Sequence, residues 1–86
     1  MGQIEKLIAR FCSLPSDFTY DELRRMLVHF GYVEEQKGKT SGSRVAFIRP
    51  SDQRTLFLHK PHPGNIIPAY KMKELYRVLK ERGDIQ

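Results

Sequence analysis

The chain has 86 residues, which is enough for one small domain and too few for two. Hydrophobic residues make up 40% and charged residues 29%, a balance that is typical of a globular domain and excludes wholesale disorder. The net charge of +5 is unevenly divided, because residues 1–35 carry four basic and six acidic side chains whereas residues 36–86 carry eleven basic and four acidic. This division favours a basic face for an anionic partner, although a plain Lys/Arg-rich surface would look the same.

Disulfide-bonded, secreted and membrane-spanning proteins are disfavoured by the same sequence. Cys12 is the only cysteine, so neither an intrachain disulfide nor a cysteine zinc cluster can form, and we expect it to be a small buried residue. The N-terminal stretch is amphipathic and charged, unlike a signal peptide. No apolar run approaches the roughly 20 residues of a membrane span, so we expect a cytoplasmic protein with no membrane partner.

Two helices are predicted in the first third of the chain. Residues 2–11 have apolar side chains at the spacing i, i+3, i+4, i+7, and this helix should stop before Leu14-Pro15, because a residue that precedes proline is pushed out of helical geometry. The second helix repeats the spacing, begins at the N-cap Thr19 with Glu22 completing a capping box, and ends at Gly31. The apolar positions of the two helices are Ile4, Leu7, Ile8, Phe11, Leu23, Met26, Leu27 and Phe30.

The remainder of the chain predicts three strands and a third helix. Short β-branched and aromatic runs indicate strands near residues 32–36, 44–49 and 55–59, joined by a polar loop at 37–43 and a turn at 50–53. The third helix lies between Pro68 and Gly83. The predicted fold is a single α+β domain of order ααβββα, with a three-stranded antiparallel sheet and helices packed on one of its faces.

The alternation of side chains in the third predicted strand indicates which of them face away from the helices. Leu56 and Leu58 alternate with Phe57 and His59, so His59 reaches the open face of the sheet if the leucines face the helices. Phe57 and Tyr70 lie near the basic segments and could stack on nucleic-acid bases. The interpretation we favour is that Phe57 belongs to the core and Tyr70 to an interface.

Two histidines are candidates for catalysis. His59 ends the predicted third strand, and His62 lies in the proline-rich loop that follows it. We interpret His29 as a surface residue of the second helix. The pattern His-x-x-His supplies two metal ligands only, so we expect no metal or other cofactor. Histidine, with a usual pKa of about 6.5, can take the proton of an RNA 2′-hydroxyl or protonate the leaving oxygen. The alternative is that His59 satisfies a strand-end hydrogen bond. The cations available to stabilise charge on phosphorus are Lys60, Arg44 and Arg49.

The polar loop before the second strand is a candidate phosphate-binding segment. Its backbone amides, hydroxyls and cations could surround a phosphate, although a mobile, solvated hairpin loop is the alternative interpretation. The loop lacks the Walker pattern, which excludes a nucleotide-binding P-loop. The side chains that would contact phosphate are Lys37, Lys39, Thr40, Ser41, Ser43 and Arg44.

Residues 38–47 (GKTSGSRVAF) and 58–65 (LHKPHPGN), followed by a Leu/Lys-rich helix, resemble the HicA family of toxins from toxin–antitoxin pairs. The likeness covers residues 17–83, so that residues 1–14 look like an added helix. The resemblance implies a fold similar to the double-stranded-RNA-binding domain and ribosome-independent cleavage of mRNA by an endoribonuclease. It also implies a monomer that joins a HicB-like antitoxin, which blocks the active site, in a hetero-oligomer.

One position departs from the family pattern. Many HicA proteins have the catalytic histidine directly after the Gly-Ser that precedes the second strand, where this chain has Arg44, and arginine stays protonated at neutral pH. Either the catalytic base lies elsewhere, with His59 the first candidate and His62 the next, or the chain binds RNA without cutting it. A third hypothesis is a protein-interaction adaptor that presents its basic face, with Tyr70 and Tyr76 exposed, to an acidic protein.

Overall fold

The computed structural model describes residues 2–36, 44–59 and 65–85, of which Gln36 and Arg44 are described by their backbone alone. The strands form an antiparallel sheet of order β1-β2-β3, with β2 in the centre. This arrangement confirms the predicted α+β fold and its order ααβββα. The elements along the described ranges are α1 (Gln3–Cys12), α2 (Tyr20–His29), β1 (Val33–Gln36), β2 (Arg44–Arg49), β3 (Arg54–His59) and α3 (Ala69–Arg82).

The two faces of the sheet have different surroundings. Phe47 of β2 and the leucines Leu56 and Leu58 of β3 are buried in one core together with the helices. The alternate positions form the opposite, open face, on which Val33 and Phe57 are 52% and 51% exposed. The helical side chains of the core include Phe11, Leu23, Met26, Leu27, Met72, Leu75 and Leu79.

The ends of α2 are built as the sequence predicts. Thr19 Oγ1 accepts a hydrogen bond from the backbone N–H of Glu22 (3.2 Å), and Glu22 Oε1 accepts one from the N–H of Thr19 (2.9 Å). After the helix, Gly31 has a φ of 98°, the left-handed region that favours glycine. The N–H of Tyr32 then bonds the carbonyl of Leu27 (3.0 Å), which directs Tyr32 into the core.

The helix α1 is anchored to the rest of the domain at its C-terminal end. Phe11 is fully buried, meets Phe18 edge-on with the ring centroids 5.4 Å apart, and lies 6.4 Å from Tyr76. Arg10 donates to both carboxylate oxygens of Glu22, at 3.0 and 3.2 Å. The first helix therefore shares one core with α2 and α3.

Two residues predicted to be buried are exposed. Cys12 is exposed because it is the last residue of α1 and, unlike the preceding Phe11, lies outside the core. Phe57 is half exposed because Leu56 and Leu58 take the inward positions of β3, and the pleat of a strand then turns Phe57 to the open face.

Candidate functional site

Arg44 and His59 occupy the same end of the sheet. Arg44 begins β2 and His59 ends β3, and the antiparallel register pairs the two residues directly. Residues paired in this way have Cα atoms about 5 Å apart. His59 is exposed and lies on the open face, two residues from Phe57. The position that departs from the family pattern therefore stands beside the histidine that the sequence indicates as a catalytic candidate.

Both long connections of the sheet open at this end, on either side of the Arg44–His59 pair. β1 ends at Gln36, aligned with Val45, and the chain returns at Arg44; the next connection leaves from His59. Several residues predicted to bind phosphate or to act in catalysis belong to these connections and lie outside the described residues. They are Lys37, Lys39, Thr40, Ser41, Ser43, Lys60 and His62.

The second connection ends against the start of α2. The N–H of Tyr20 donates to the carbonyl of Asn65, and the N–H of Ile67 donates to the carbonyl of Phe18, both at 2.8 Å. These two hydrogen bonds form an isolated antiparallel bridge. The segment that follows the His-Pro-Gly motif is therefore tied to the N-terminal end of α2.

Arg49 lies at the other end of β2, in a network of ion pairs. Its guanidinium contacts the carboxylate of Asp84, which is 3% exposed, and donates to both carboxylate oxygens of Asp52 at 2.8 and 3.1 Å. The guanidinium also lies 5.2 Å from the ring centroid of Tyr32, whose hydroxyl donates to Asp84 at 2.9 Å. The hydrogen bonds to Asp52 and then to Asp84 raise the pKa of Arg49, and the same contact with Arg49 lowers the pKa of Asp52.

The network gives Arg49 a structural role. Arg49 is five positions along the strand from Arg44, which corresponds to about 17 Å. Arg49 also lies in the register pair with Arg54, at the hairpin end of the sheet. The structure therefore does not bring Arg49 together with His59, although the sequence predicted both for one site.

All four acidic side chains of residues 36–86 form ion pairs, those of Asp52 and Asp84 at the hairpin end of the sheet and those of Glu74 and Glu81 within α3. The pairs are Asp84–Arg49, Asp52–Arg54 (3.1 Å), Glu74–Lys71 (3.4 Å) and Glu81–Arg77 (3.8 Å). The formal net positive charge of residues 36–86 is therefore carried by the basic residues that are not members of these four pairs. Four of these, Lys37, Lys39, Arg44 and Lys60, belong to the start of β2 or to the connections that open beside it.

A groove lies between α1 and α2. It has a volume of about 410 Å³ and is lined by Gln3, Ile4, Lys6, Leu7, Arg10 and Arg25. Arg10 is already engaged there with Asp17 (3.1 Å) and Glu22 (3.0 Å), and its hydrogen bond lowers the pKa of Glu22 to about 2. These lining residues include neither a histidine nor a carboxylate, so the candidate site for acid–base chemistry is the sheet end.

Within residues 2–36, 44–59 and 65–85, no three side chains of His, Cys, Asp or Glu converge as a metal site requires. None of the helices in these ranges is long and apolar enough to cross a bilayer.

Two features of the molecule were not predicted from the sequence. The first is the exposed ring of Phe57, although alternation carried the signal: once the leucines of β3 face inward, Phe57 and His59 must share the outward face. The second is the pairing of Arg49 with Asp84, which lies 35 residues away and shows no local pattern.

Comparison with known proteins assigns the family. A family model described as the HicA toxin of bacterial toxin–antitoxin pairs matches residues 20–83, which comprise α2, the sheet and α3 and leave α1 outside the match. No curated protein and no solved structure matches the chain. Because the family model covers well over half of the sequence, the chain belongs to the HicA toxin family of bacterial toxin–antitoxin systems.

Proposed function

We propose that this chain binds RNA at the Arg44–His59 end of its sheet and cleaves mRNA there by acid–base chemistry that needs no metal. The observation that carries the proposal is the direct pairing of Arg44 with the exposed His59. Membership of the HicA family and the cations grouped in sequence around this pair support it. Arg49 is left out of the proposed site because its two carboxylate partners occupy it at the opposite end of β2.

His59 is the leading candidate for the general base. A base at this position takes the proton of a 2′-hydroxyl, the 2′-oxygen attacks the adjacent phosphorus, and the bond between phosphorus and the 5′-oxygen breaks. The leaving oxygen takes a proton from a general acid, for which His62 is the candidate. The products are then a 2′,3′-cyclic phosphate and a 5′-hydroxyl. Arg44 stays protonated, so its role here is to stabilise the negative charge on the phosphoryl oxygens.

Cleavage of end-labelled single-stranded RNA by the full chain in EDTA tests the proposal. We expect His59→Ala to lower the single-turnover rate by about 100-fold or more, the range of general acid–base catalysis. The affinity for RNA should change by less than about threefold, a difference well under 1 kcal/mol. His29→Ala is the matched control, because His29 is an exposed histidine at the C-terminal end of α2 and outside the proposed site, and this variant should cleave at the wild-type rate. Wild-type cleavage by His59→Ala would contradict the assignment.

A non-catalytic RNA-binding module is the second candidate function, and Arg44 in the family's histidine position is the observation that favours it. It predicts salt-sensitive binding, because each phosphate contact releases counterions, but no cleavage. Arg44→His separates the two candidates. If the wild type binds RNA and leaves it intact while Arg44→His cuts it, the chain is a binding module that has lost the family's catalytic group.

We further infer that a HicB-like antitoxin covers the same end of the sheet, and that the chain is a cytoplasmic monomer until this antitoxin joins it. Expression of the chain alone should then arrest growth, and His59→Ala or co-expression of the antitoxin should relieve the arrest. The adaptor hypothesis predicts instead an acidic protein partner and no affinity for RNA. The adaptor hypothesis requires Tyr70 and Tyr76 to be exposed. Tyr70 is 73% exposed, whereas Tyr76 is partly buried against the core.

A further inference from the structure

The groove between α1 and α2 has an apolar lining on the side of α1. Ile4 and Leu7 line it, and both are only partly buried, although their spacing with Phe11 makes one apolar stripe along the helix. Phe11 ends this stripe inside the core, whereas Ile4 lies outside the core. The volume of about 410 Å³ is within the range of binding pockets, roughly 300–1,000 Å³. The N-terminal half of the stripe is therefore open to a ligand.

The lining of the groove also contains three cations, of which one is already engaged. Arg10 is held by Asp17 and Glu22. The side chains of Lys6 and Arg25 are exposed, and within the described ranges no hydrogen bond or ion pair holds either of them. One such cation lies on each wall, because Lys6 belongs to α1 and Arg25 to α2. A ligand in the groove thus meets apolar surface and two available cations.

Carboxylates of the same part of the chain surround the groove but do not line it. Two of them hold Arg10. Glu5 accepts a hydrogen bond from the N–H of Gly2 (2.8 Å), and Asp21 is exposed one turn before Arg25. These carboxylates cancel long-range attraction for an anion. The charges therefore favour a ligand that contacts both the apolar and the cationic lining over a polyanion that is attracted by charge alone.

We propose that this groove binds an acidic amphipathic helix of the antitoxin, with aliphatic side chains against the apolar lining and carboxylates against Lys6 and Arg25. An amphipathic helix in an apolar groove binds through side chains at the spacing i, i+3, i+4 and i+7. Opposite charges at the rim determine which partner fits more than how tightly it binds. The inference rests on the antitoxin pairing in the proposed function and adds a second contact to the one at the Arg44–His59 end.

The family assignment favours an antitoxin segment over other occupants. The chain belongs to a family of toxins from toxin–antitoxin pairs, which implies a protein partner. The family match begins at residue 20, so the wall formed by Ile4, Lys6 and Leu7 lies outside the family pattern. A contact with this wall distinguishes the antitoxin of this chain from the antitoxins of members that lack the helix.

Peptide binding to the full chain tests the chemistry of the occupant. The probe is a fluorescein-labelled helical peptide of about 18 residues, or five turns, with leucines at the spacing i, i+3, i+4, i+7 and glutamates beside them. Its matched control has lysines in place of the glutamates. We expect fluorescence anisotropy to show that the acidic peptide binds at least about tenfold more tightly than the basic one.

Two substitutions separate the charged from the apolar contribution. Lys6→Glu reverses one rim charge and should bind the acidic peptide at least about fivefold more weakly. Ile4→Ser removes apolar lining outside the core and should weaken binding by at least as much. Lys73→Glu is the matched control, because Lys73 is an exposed lysine of α3 outside the groove, and it should change the affinity less than about twofold.

The antitoxin itself tests the identity of the occupant. The probe is the purified antitoxin that relieves growth arrest by this chain. It should bind Lys6→Glu and Ile4→Ser at least about fivefold more weakly than the wild type, and Lys73→Glu as tightly as the wild type.

The outcomes separate this inference from the proposed function. Equal affinity of the antitoxin for the wild type, Lys6→Glu and Ile4→Ser overturns the inference and leaves the proposed function standing. Equal binding of the acidic and basic peptides also overturns it. If Lys6→Glu loses affinity for RNA in place of the antitoxin, or if the wild type is a dimer that Ile4→Ser abolishes, the groove belongs to another occupant and the inference is overturned. A chain that neither arrests growth nor binds an antitoxin overturns the proposed function together with the inference.

Discussion

Arginines stand at both ends of β2, and their surroundings differ. Arg49 is enclosed by Asp84, Asp52 and the ring of Tyr32, whereas Arg44 is paired in register with an exposed histidine. The sequence predicted both arginines as phosphate contacts, because a residue type shows charge but not the partners that neutralise it. Asp84 comes from beyond the end of α3, so only the folded chain shows that Arg49 is already occupied.

Asp84→Ala tests the structural role of the Arg49 network. The change removes the nearly buried carboxylate that pairs with the Arg49 guanidinium and accepts a hydrogen bond from the Tyr32 hydroxyl. We therefore expect the free energy of unfolding, measured by urea denaturation, to fall by about 2–3 kcal/mol. Glu81→Ala is the control, since its pair with Arg77 is well exposed, and it should cost less than about 0.5 kcal/mol. A loss for Asp84→Ala no larger than that of the control would remove the structural role assigned to Arg49.

The Arg10–Glu22 pair predicts a stability change at acid pH. Hydrogen bonding to Arg10 lowers the pKa of Glu22 from 4.5 to about 2, so the unfolded chain binds a proton at this group before the folded chain does. The stability that Glu22 contributes is therefore fully present above pH 4.5 and is lost as the pH falls towards about 2. Glu22→Gln keeps the capping geometry and removes the charge.

Urea unfolding measured between pH 2 and pH 7 checks this prediction. The wild type should exceed Glu22→Gln by about 1–2 kcal/mol at neutral pH, the scale of charge-assisted hydrogen bonds. The gap should close as the pH is lowered through the interval between the two pKa values. A gap that is constant with pH would contradict the ion pair.

At the scale of elements, local sequence patterns predicted the helices and strands, whereas they did not predict which residues of neighbouring strands are paired. Apolar spacing and caps gave the three helices to within a residue or two, because the capping box at Thr19 and the glycines at 31 and 83 act within one turn. The strand limits and their antiparallel order were also predicted. The sequence could not give the register, and the register is what places Arg44 beside His59.

Phe11→Ala tests whether α1 is part of the fold. The family match leaves this helix outside, yet Phe11 is fully buried against Phe18 and Tyr76. Truncating the ring should lower the free energy of unfolding by about 3 kcal/mol or more, since the cavity cannot fully collapse. Val28→Ala, on the exposed side of α2, should change it by less than about 0.5 kcal/mol. A small loss for Phe11→Ala in thermal or urea unfolding would mean that α1 is a dispensable addition.

At the scale of the whole molecule, the fold separates two kinds of charge. The acidic residues of the second half are paired along α3 and at the hairpin end of the sheet. The opposite end combines Arg44, His59 and the openings of both long connections. The sequence predicted an asymmetric charge and the family, but the position of the basic end depends on which cations the fold neutralises.

Backbone amide chemical shifts, followed by NMR while the full chain is titrated with uncleavable single-stranded RNA, test the central claim most directly. We predict that the largest shift changes fall on Arg44, Phe57 and His59 and that they saturate together. The amides of Arg49 and Asp84, at the other end of the sheet, should move little. Largest changes along the groove between α1 and α2, or at Arg49 and Asp84, would contradict the location of the RNA site at the Arg44–His59 end.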